Sequence, residues 1–124
     1  MATKKILIVE DEKSLAHTLQ MKLEGAGYRT TTVSDGQEAL DVLSDKGKYD
    51  LVLLDLIMPK LDGFHVMEEL NKRGDKTPII VLSILSQEQD KNRAFELGAR
   101  DYFVKSYTSL ADLVKLVRTF FSKQ

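Results

Sequence analysis

Five side chains with catalytic or ligand potential stand at the ends of short apolar segments. They are Glu10 and Asp11 after Ile6–Val9, Asp55 after Leu51–Leu54, Ser83 after Ile79–Leu82, and Lys105 after Tyr102–Val104. Three carboxylates held close together repel one another, so at least one is driven toward protonation unless a cation lies among them. Oxygen ligands without a nearby His or Cys favour Mg²⁺. A metal, a lysine and a hydroxyl around a carboxylate nucleophile form an arrangement suited to phosphoryl transfer.

The segment from Tyr49 to Pro59 is the one that the rest of the chain must position. Its apolar run ends abruptly at Asp55, and Pro59 prevents the strand from continuing. A short continuous apolar run of this kind is typical of a strand buried on both faces of a parallel sheet. Open α/β sheets place their chemistry at the carboxyl ends of the strands. We therefore predict that Asp55 is the working residue of the site.

The whole chain alternates five strand-like runs with five helix-like patterns, which favours a parallel sheet covered by helices. Tyr28–Val33 reads as a short edge strand, and Ser34-Asp35 can cap the second helix. The most polar helix is predicted over Ser86–Leu97. The last helix is expected to begin near Ser109, with Asp112 three residues on as in a capping box.

Composition limits the possible classes of protein. With 124 residues, 43% apolar and 30% charged residues and a net charge of −1, we expect one domain over residues 1–124 and no direct binding of nucleic acid or membrane. The chain has no Cys, which excludes disulfides and thiolate chemistry. The first apolar run is too short for a signal peptide or a membrane span, so we expect a cytoplasmic location.

Several segments together resemble a bacterial two-component response-regulator receiver domain, similar to the chemotaxis receiver, over essentially the full length. The segments are Ile8–Glu12, Leu54–Pro59, Asp62–Gly63, Leu82–Ser83 and Gly98–Lys105. This resemblance implies a three-layer, doubly wound (βα)5 flavodoxin-like fold with a parallel five-stranded sheet in the order 2-1-3-4-5.

The resemblance also implies a mechanism in which Asp55 takes a phosphoryl group from a phosphohistidine of a partner histidine kinase or phosphotransfer protein. Mg²⁺ would be bound by Asp11, Asp55 and the Ile57 main-chain carbonyl, with Glu10 acting mainly through water. The phosphoryl group would pair with Lys105.

As the resemblance further implies, Ser83 would then bond a phosphoryl oxygen and Tyr102 would rotate inward. The surface formed by the fourth helix, fifth strand and fifth helix would change its affinity for an output protein or effector domain.

The sequence departs from the family pattern beside the site. Ser106 follows Lys105 where the family usually has a cis proline, and a cis bond before a non-proline costs about 2.5–4 kcal/mol, so we expect a trans bond. Ile84 stands where the family favours Ala or Gly, and it should hinder small phosphodonors. The apolar Ile57 and Leu85 flank the path of the hydrolytic water in this family, which predicts slow loss of phosphate.

Alternatives remain for individual residues. Asp55 could cap a helix, Glu10–Glu12 could be a solvated acidic turn, Lys105 could be a surface lysine, and Tyr102 could belong to the core. His17 and His65 are interpreted as surface residues without partners, not as ligands. Ala111 and Ser122 replace charges that receivers of DNA-binding regulators use to dimerise, so that dimer is not expected, and the oligomeric state stays open.

Three other functions agree with only part of the sequence. A phosphatase-like enzyme with an aspartyl nucleophile would have a second acid two residues after Asp55, where Ile57 stands, so we expect no separate enzymatic activity. A phosphorylation-independent interaction module is supported by Ser106 and Ile84 alone. A flavodoxin relative would not carry Glu10–Glu12 where a phosphate must bind. We expect no effector domain after the last helix. The sequence fits a free-standing receiver, and it fits equally a segment of a longer regulator or hybrid kinase.

Overall fold

Strands and helices alternate along residues 3–45 and 48–123, the ranges that the computed structural model describes. The strands are β1 (Lys5–Val9), β2 (Arg29–Val33), β3 (Leu51–Leu54), β4 (Ile79–Ser83) and β5 (Asp101–Val104). The helices are α1 (Lys13–Gly25), α2 (Gly36–Val42), α3 (Gly63–Lys72), α4 (Glu88–Glu96) and α5 (Leu110–Ser122).

All five strands are parallel and form one sheet in the order β2-β1-β3-β4-β5, which confirms the expected fold and strand order. β2 is added on one side of β1, whereas β3, β4 and β5 are added in turn on the other side. The order of the strands therefore reverses between the neighbours β1 and β3. The carboxyl end of this pair is the switch point where doubly wound sheets form a crevice. Val9 is in register with Leu54 there, so the residues that follow both strands emerge side by side.

The helices lie in two layers because β1, β3 and β4 are buried on both faces. One apolar core joins alternate strand residues such as Leu7, Val52 and Val81 to α2, α3 and α4. The other joins Ile6, Leu53 and the remaining alternate residues to α1 and α5. Burial on both faces explains the unbroken apolar runs of the central strands.

The two helix caps that the sequence indicated are present, whereas α4 starts later than predicted. The Asp35 side chain accepts a hydrogen bond from the Glu38 N–H, and Ser109 accepts one from the Asp112 N–H. The helix predicted to start at Ser86 begins instead at Glu88. The reason is that the preceding loop is held by β4 and β5: Leu85 N–H donates to Ser83 Oγ, and the Leu85 carbonyl accepts from the Tyr102 hydroxyl.

The connection between β5 and α5 is a 3-10 turn over Lys105–Tyr107. The described residues contain no cis peptide bond, so the bond between Lys105 and Ser106 is trans as expected. None of the described helices has the length and apolar composition that crossing a bilayer requires.

Candidate functional site

The carboxylates of Glu10, Asp11 and Asp55 meet at the switch point of the sheet. The strand ladder continues past the apolar runs, because Asp55 N–H donates to the Val9 carbonyl at 3.0 Å and Glu10 N–H donates to the Val33 carbonyl at 3.0 Å. One oxygen from each of the three carboxylates lies within 4.8 Å of the other two. Glu10 and Asp55 are buried, with exposed fractions of 3% and 4%, whereas Asp11 is exposed. The structure therefore brings together the three acids that the sequence singled out.

Lys105 joins two of these acids from the end of β5. Its Nζ lies 2.6 Å from Oε1 of Glu10 and 3.2 Å from Oδ2 of Asp55. The reach of the lysine side chain from an edge strand to the centre of the sheet makes this contact possible. To pair with a phosphoryl group as predicted, Lys105 would have to weaken its contact with Glu10 or with Asp55.

Burial and the contacts with Lys105 shift the pKa values of these groups in opposite directions. Burial raises the pKa of Glu10 and of Asp55 above the ordinary carboxyl value, although Lys105 opposes both shifts. Burial alone would lower the pKa of Lys105, but the hydrogen bond to Glu10 and the charge of Asp55 outweigh it and raise that pKa. The charged form is therefore favoured for the lysine, whereas burial disfavours it for the two acids by more than their single shared ammonium group offsets.

The donor set fits a divalent cation. Three carboxylates facing one ammonium leave two negative charges uncompensated, which is the charge that one Mg²⁺ ion carries. Carboxylate oxygens are the ligands that Mg²⁺ prefers, and no sulfur or imidazole ligand belongs to this cluster. The Ile57 N–H donates to Asp55 Oδ1 at 3.2 Å, so the backbone that carries the Ile57 carbonyl is tied directly to the central acid.

Ser83 lies one strand away from Asp55, on β4, and Tyr102 lies two strands away, on β5. Ser83 is fully buried at the end of β4, the neighbour of β3. The half-buried Tyr102 ring packs against the core beneath α4, and its hydroxyl donates to the Leu85 carbonyl at 2.8 Å. Burial raises the pKa of Tyr102, and the nearby Ser83 side chain acts in the opposite direction. Tyr102 already points inward here, whereas the sequence-based prediction made this a position reached after phosphorylation.

The loop after Asp55 makes contacts that the sequence did not predict. Lys60 adopts φ +67°, and its Nζ lies 3.6 Å from Oδ2 of Asp35. The N–H of Glu38 lowers the pKa of Asp35. His65 is exposed as expected, but the interpretation that it has no partner was wrong, because its Nδ1 lies 3.0 Å from Oδ1 of Asp62, the N-cap of α3.

A second unforeseen set of contacts ties α3 to α4. The Arg93 guanidinium carbon lies 4.1 Å from the centroid of the Phe64 ring, and Arg93 Nη2 lies 3.6 Å from Oε2 of Glu68. At the other end, Asn71 Nδ2 donates to the Leu97 carbonyl at 2.9 Å. The sequence offered only an Arg on a polar helix and a Phe on an apolar face, which does not indicate that the two meet.

Comparison with known proteins agrees with this geometry. Residues 6–118 match the sequence family described as the response regulator receiver domain. The chain is 44% identical over 105 residues to the alkaline phosphatase synthesis transcriptional regulatory protein PhoP of Bacillus subtilis, with 85% of this chain and 43% of that protein covered. This chain spans between 40% and 50% of the length of curated relatives such as these.

Two solved structures are similar over nearly the whole chain. The receiver domain of the Francisella response regulator 1452 has a TM-score of 0.88 at 33% identity and covers 98% of both chains. The phosphorylated cyanobacterial phytochrome response regulator RcpA has a TM-score of 0.79 at 35% identity, with 96% of this chain and 91% of that chain covered.

Proposed function

Because this chain belongs to the response regulator receiver family of two-component systems, we propose that it is a phosphorylation-dependent signalling switch with Asp55 as its phosphoacceptor. The observation that supports this proposal most directly is the position of Asp55. Its carboxylate is buried at the switch point, grouped with Glu10 and Asp11 and bridged by Lys105.

The transfer itself requires little covalent chemistry from the protein. A carboxylate oxygen of Asp55 attacks the phosphorus of a phosphohistidine on the donor protein, so that the P–N bond breaks and a P–O bond forms. The product is an acyl phosphate on Asp55, and the released imidazole takes up a proton. Lys105, which already lies 3.2 Å from Asp55, is placed to stabilise the charge on the transferred oxygens.

Asp11, Asp55 and the Ile57 main-chain carbonyl would hold a Mg²⁺ ion, with Glu10 acting through water. When bound, the ion neutralises charge on the acids and on the incoming phosphoryl group. The chain's own contribution is the placement of these ligands: Asp55 Oδ1 is fixed by the Ile57 N–H, and Glu10 Oε2 accepts the Glu12 N–H at 3.0 Å. Both hydrogen bonds favour the ionised carboxylates that a metal requires.

The output would be a change at the α4–β5–α5 surface. Ser83 lies buried beside β3, and a phosphoryl oxygen on Asp55 offers its hydroxyl a charged acceptor. The Ser83 Oγ now accepts from Leu85 N–H, and Leu85 is also bound by Tyr102. A change in the hydrogen bonds of Ser83 would therefore affect the loop before α4 and also Tyr102 on β5.

The proposed partners are a histidine kinase or histidine phosphotransfer protein as donor and an output protein or effector domain as target. We propose no enzymatic turnover of a separate substrate and no direct contact of this chain with nucleic acid. The relatives PhoP and PcoR are named as transcriptional regulatory proteins, and this chain covers 43% and 50% of their lengths.

The test compares wild type with Asp55→Asn in thermal unfolding with Mg²⁺ and beryllofluoride, a mimic of the aspartyl phosphate. We expect a Mg²⁺-dependent rise in Tm for the wild type alone, because a ligand that binds only the folded state stabilises it. Intact mass after exposure to phosphoramidate should show one phosphoryl group on the wild type and none on the variant. Absence of both responses in the wild type would contradict the proposal and favour a phosphorylation-independent interaction module.

A further inference from the structure

The loop between β3 and α3 carries the Ile57 carbonyl, and it is closed into a ring at its base. Gly63 N–H donates to the Leu56 carbonyl at 3.0 Å. A Cβ atom on Gly63 would lie 2.6 Å from the Asp55 carbonyl oxygen and 2.8 Å from Leu56 Cα, so only glycine allows this approach. The two ends of the loop are therefore locked against the backbone of the phosphoacceptor itself.

The far side of the same loop rests on the first turn of α2. A Cβ atom on Gly36 would overlap the Leu61 carbonyl oxygen and would lie 2.9 Å from both Leu61 Cβ and Val66 Cγ2. The Asp35 side chain, buried apart from 8% of its surface, lies 3.6 Å from the Lys60 ammonium group. The loop thus has two supports, one at its base on β3 and one at its tip on α2.

The segment between these supports is short and bent. Leu61 N–H donates to the Pro59 carbonyl at 2.8 Å, and Lys60 takes a left-handed backbone conformation that a residue with a Cβ adopts at a cost. Ile57 lies only three residues before Lys60, and the segment is held at both ends. We therefore expect a displacement of Leu61 or Lys60 to move the Ile57 backbone as well. Ile57 is also bonded to Asp55 through its N–H.

We infer that Asp35 and Gly36 are positioning residues for the phosphoryl site, which hold the β3–α3 loop so that the Ile57 carbonyl faces the acidic cluster. They contact neither the proposed metal nor the phosphoryl group, and they act through Lys60 and Leu61. This inference rests on the proposed function, because only that proposal makes the Ile57 carbonyl a ligand of Mg²⁺. Supports of this kind commonly change metal affinity by about tenfold or more when they are lost.

The experiment measures Mg²⁺ binding by calorimetry in Gly36→Ala, with Gly25→Ala as the matched control. A Cβ on Gly25 would meet no atom within 4 Å, so this control adds the same methyl group without displacing the backbone. We expect the dissociation constant for Mg²⁺ to rise about tenfold in folded Gly36→Ala and to stay unchanged in Gly25→Ala. Amide NMR shifts in the metal-free protein should extend from Leu61 to Ile57 in Gly36→Ala alone.

Asp35 provides a second test that preserves the helix cap, because Asn caps as well as Asp does. Asp35→Asn and Lys60→Ala should each weaken Mg²⁺ binding, and the double variant should be no weaker than either single one, since both remove the same contact. This test decides the matter should Gly36→Ala fail to fold. Wild-type Mg²⁺ affinity in folded Gly36→Ala, or additive losses in the double variant, would overturn the inference.

A wild-type protein that does not bind Mg²⁺ would instead contradict the proposed function, so the two failures give different results.

Discussion

The ammonium group of Lys105 lies 2.6 Å from Oε1 of Glu10, and their side chains retain only 18% and 2% of their solvent exposure. Both residues follow strands that do not pair with each other, β5 and β1. The lysine side chain therefore spans the carboxyl ends of β3 and β4, which lie between β1 and β5, and it also contacts Asp55. In the absence of a metal, this contact supplies the positive charge at the site.

Replacement of Lys105 by Met should therefore destabilise the metal-free protein. The change keeps most of the apolar stem but leaves two buried carboxylates without their cation. Removal of one partner from a fully buried pair costs about 3–5 kcal/mol, and partial access of solvent to Lys105 reduces the expected loss to roughly 2–3 kcal/mol. Urea unfolding in EDTA measures it, and Mg²⁺ should restore part of the loss. Lys115→Met, on the exposed side of α5, is the control. Equal stability of Lys105→Met and wild type would contradict the charge argument.

Asp55→Asn should stabilise the metal-free protein at neutral pH. Burial raises the folded-state pKa of Asp55 above its unfolded value, so the unfolded chain releases this proton first as the pH rises. Wild-type stability therefore falls from the ordinary carboxyl pKa upward, and the loss is complete once the pH has passed the raised pKa. The variant lacks this contribution.

Unfolding of Asp55→Asn and wild type at a series of pH values in EDTA measures this difference. The advantage of the variant should be small near pH 4 and should grow toward pH 7. Mg²⁺ should remove it, because only the wild type gains stability from the ion. An advantage that is largest at acidic pH would show that the sign is wrong.

The sequence predicted the fold and the grouping of the acids because both depend on simple rules. Strands that are parallel and apolar on both faces must be covered by two helical layers, and residues at their carboxyl ends must share one edge. Glu10, Asp55 and Lys105 could be placed together in this way without any knowledge of distances. The family resemblance added the strand order, which periodicity does not contain.

The unpredicted features depend on how closely separate segments approach. Gly36 and Leu61 are 25 positions apart, and nothing in either residue type indicates that a backbone carbonyl lies where a Cβ would be. The contact of Arg93 with Phe64 is of the same kind. The start of α4 was predicted two residues too early, at Ser86, because the sequence does not show that Ser83 and Tyr102 bind the preceding Leu85.

Lys60 carries backbone strain that glycine would relieve. Its φ of +67° is in the left-handed region, which costs a residue with a Cβ about 1–2 kcal/mol. Lys60→Ala and Lys60→Gly both lose the contact with Asp35, so their difference isolates the strain. We expect the Gly variant to be more stable than the Ala variant by about 1 kcal/mol, because the extra freedom of glycine in the unfolded chain offsets part of the gain. Ala should fall below wild type by at most about 1 kcal/mol. Equal stability of the two variants in urea would show that this conformation is not strained.

Tyr102→Phe should loosen the loop before α4. The variant removes the hydroxyl that donates to the Leu85 carbonyl at 2.8 Å, and loss of such a bond costs about 1 kcal/mol. Hydrogen exchange should show faster exchange at the Leu85 amide, while the amides of β3 remain protected. Tyr107→Phe is the matched control, because Tyr107 is 77% exposed and no hydrogen bond of its hydroxyl is found within residues 3–45 and 48–123. Unchanged exchange at Leu85 would show that Tyr102 does not restrain this loop.

Ile84→Ala should increase the rate at which small phosphodonors modify Asp55. We place Ile84 at the rim of the site, because it directly follows the buried Ser83 and is itself 59% exposed. Removal of a branched side chain from the rim should widen the approach to Asp55 without loss of core packing. Phosphorylation by phosphoramidate or acetyl phosphate, followed by intact mass, should therefore become severalfold faster.

Stability should change little in the same Ile84→Ala variant, since an exposed side chain contributes within about 0.5 kcal/mol. Met21→Ala on α1 is the control, because Met21 is equally exposed at 60% and lies on a helix that contributes no residue to the acidic cluster. A phosphohistidine donor protein provides the discriminating comparison. If Ile84 acts as a barrier to small donors, the rate with acetyl phosphate should rise more than the rate with the protein donor. An equal rise with both donors would mean that Ile84 affects the transfer step itself, and no rise with either would show that the rim is not the obstacle.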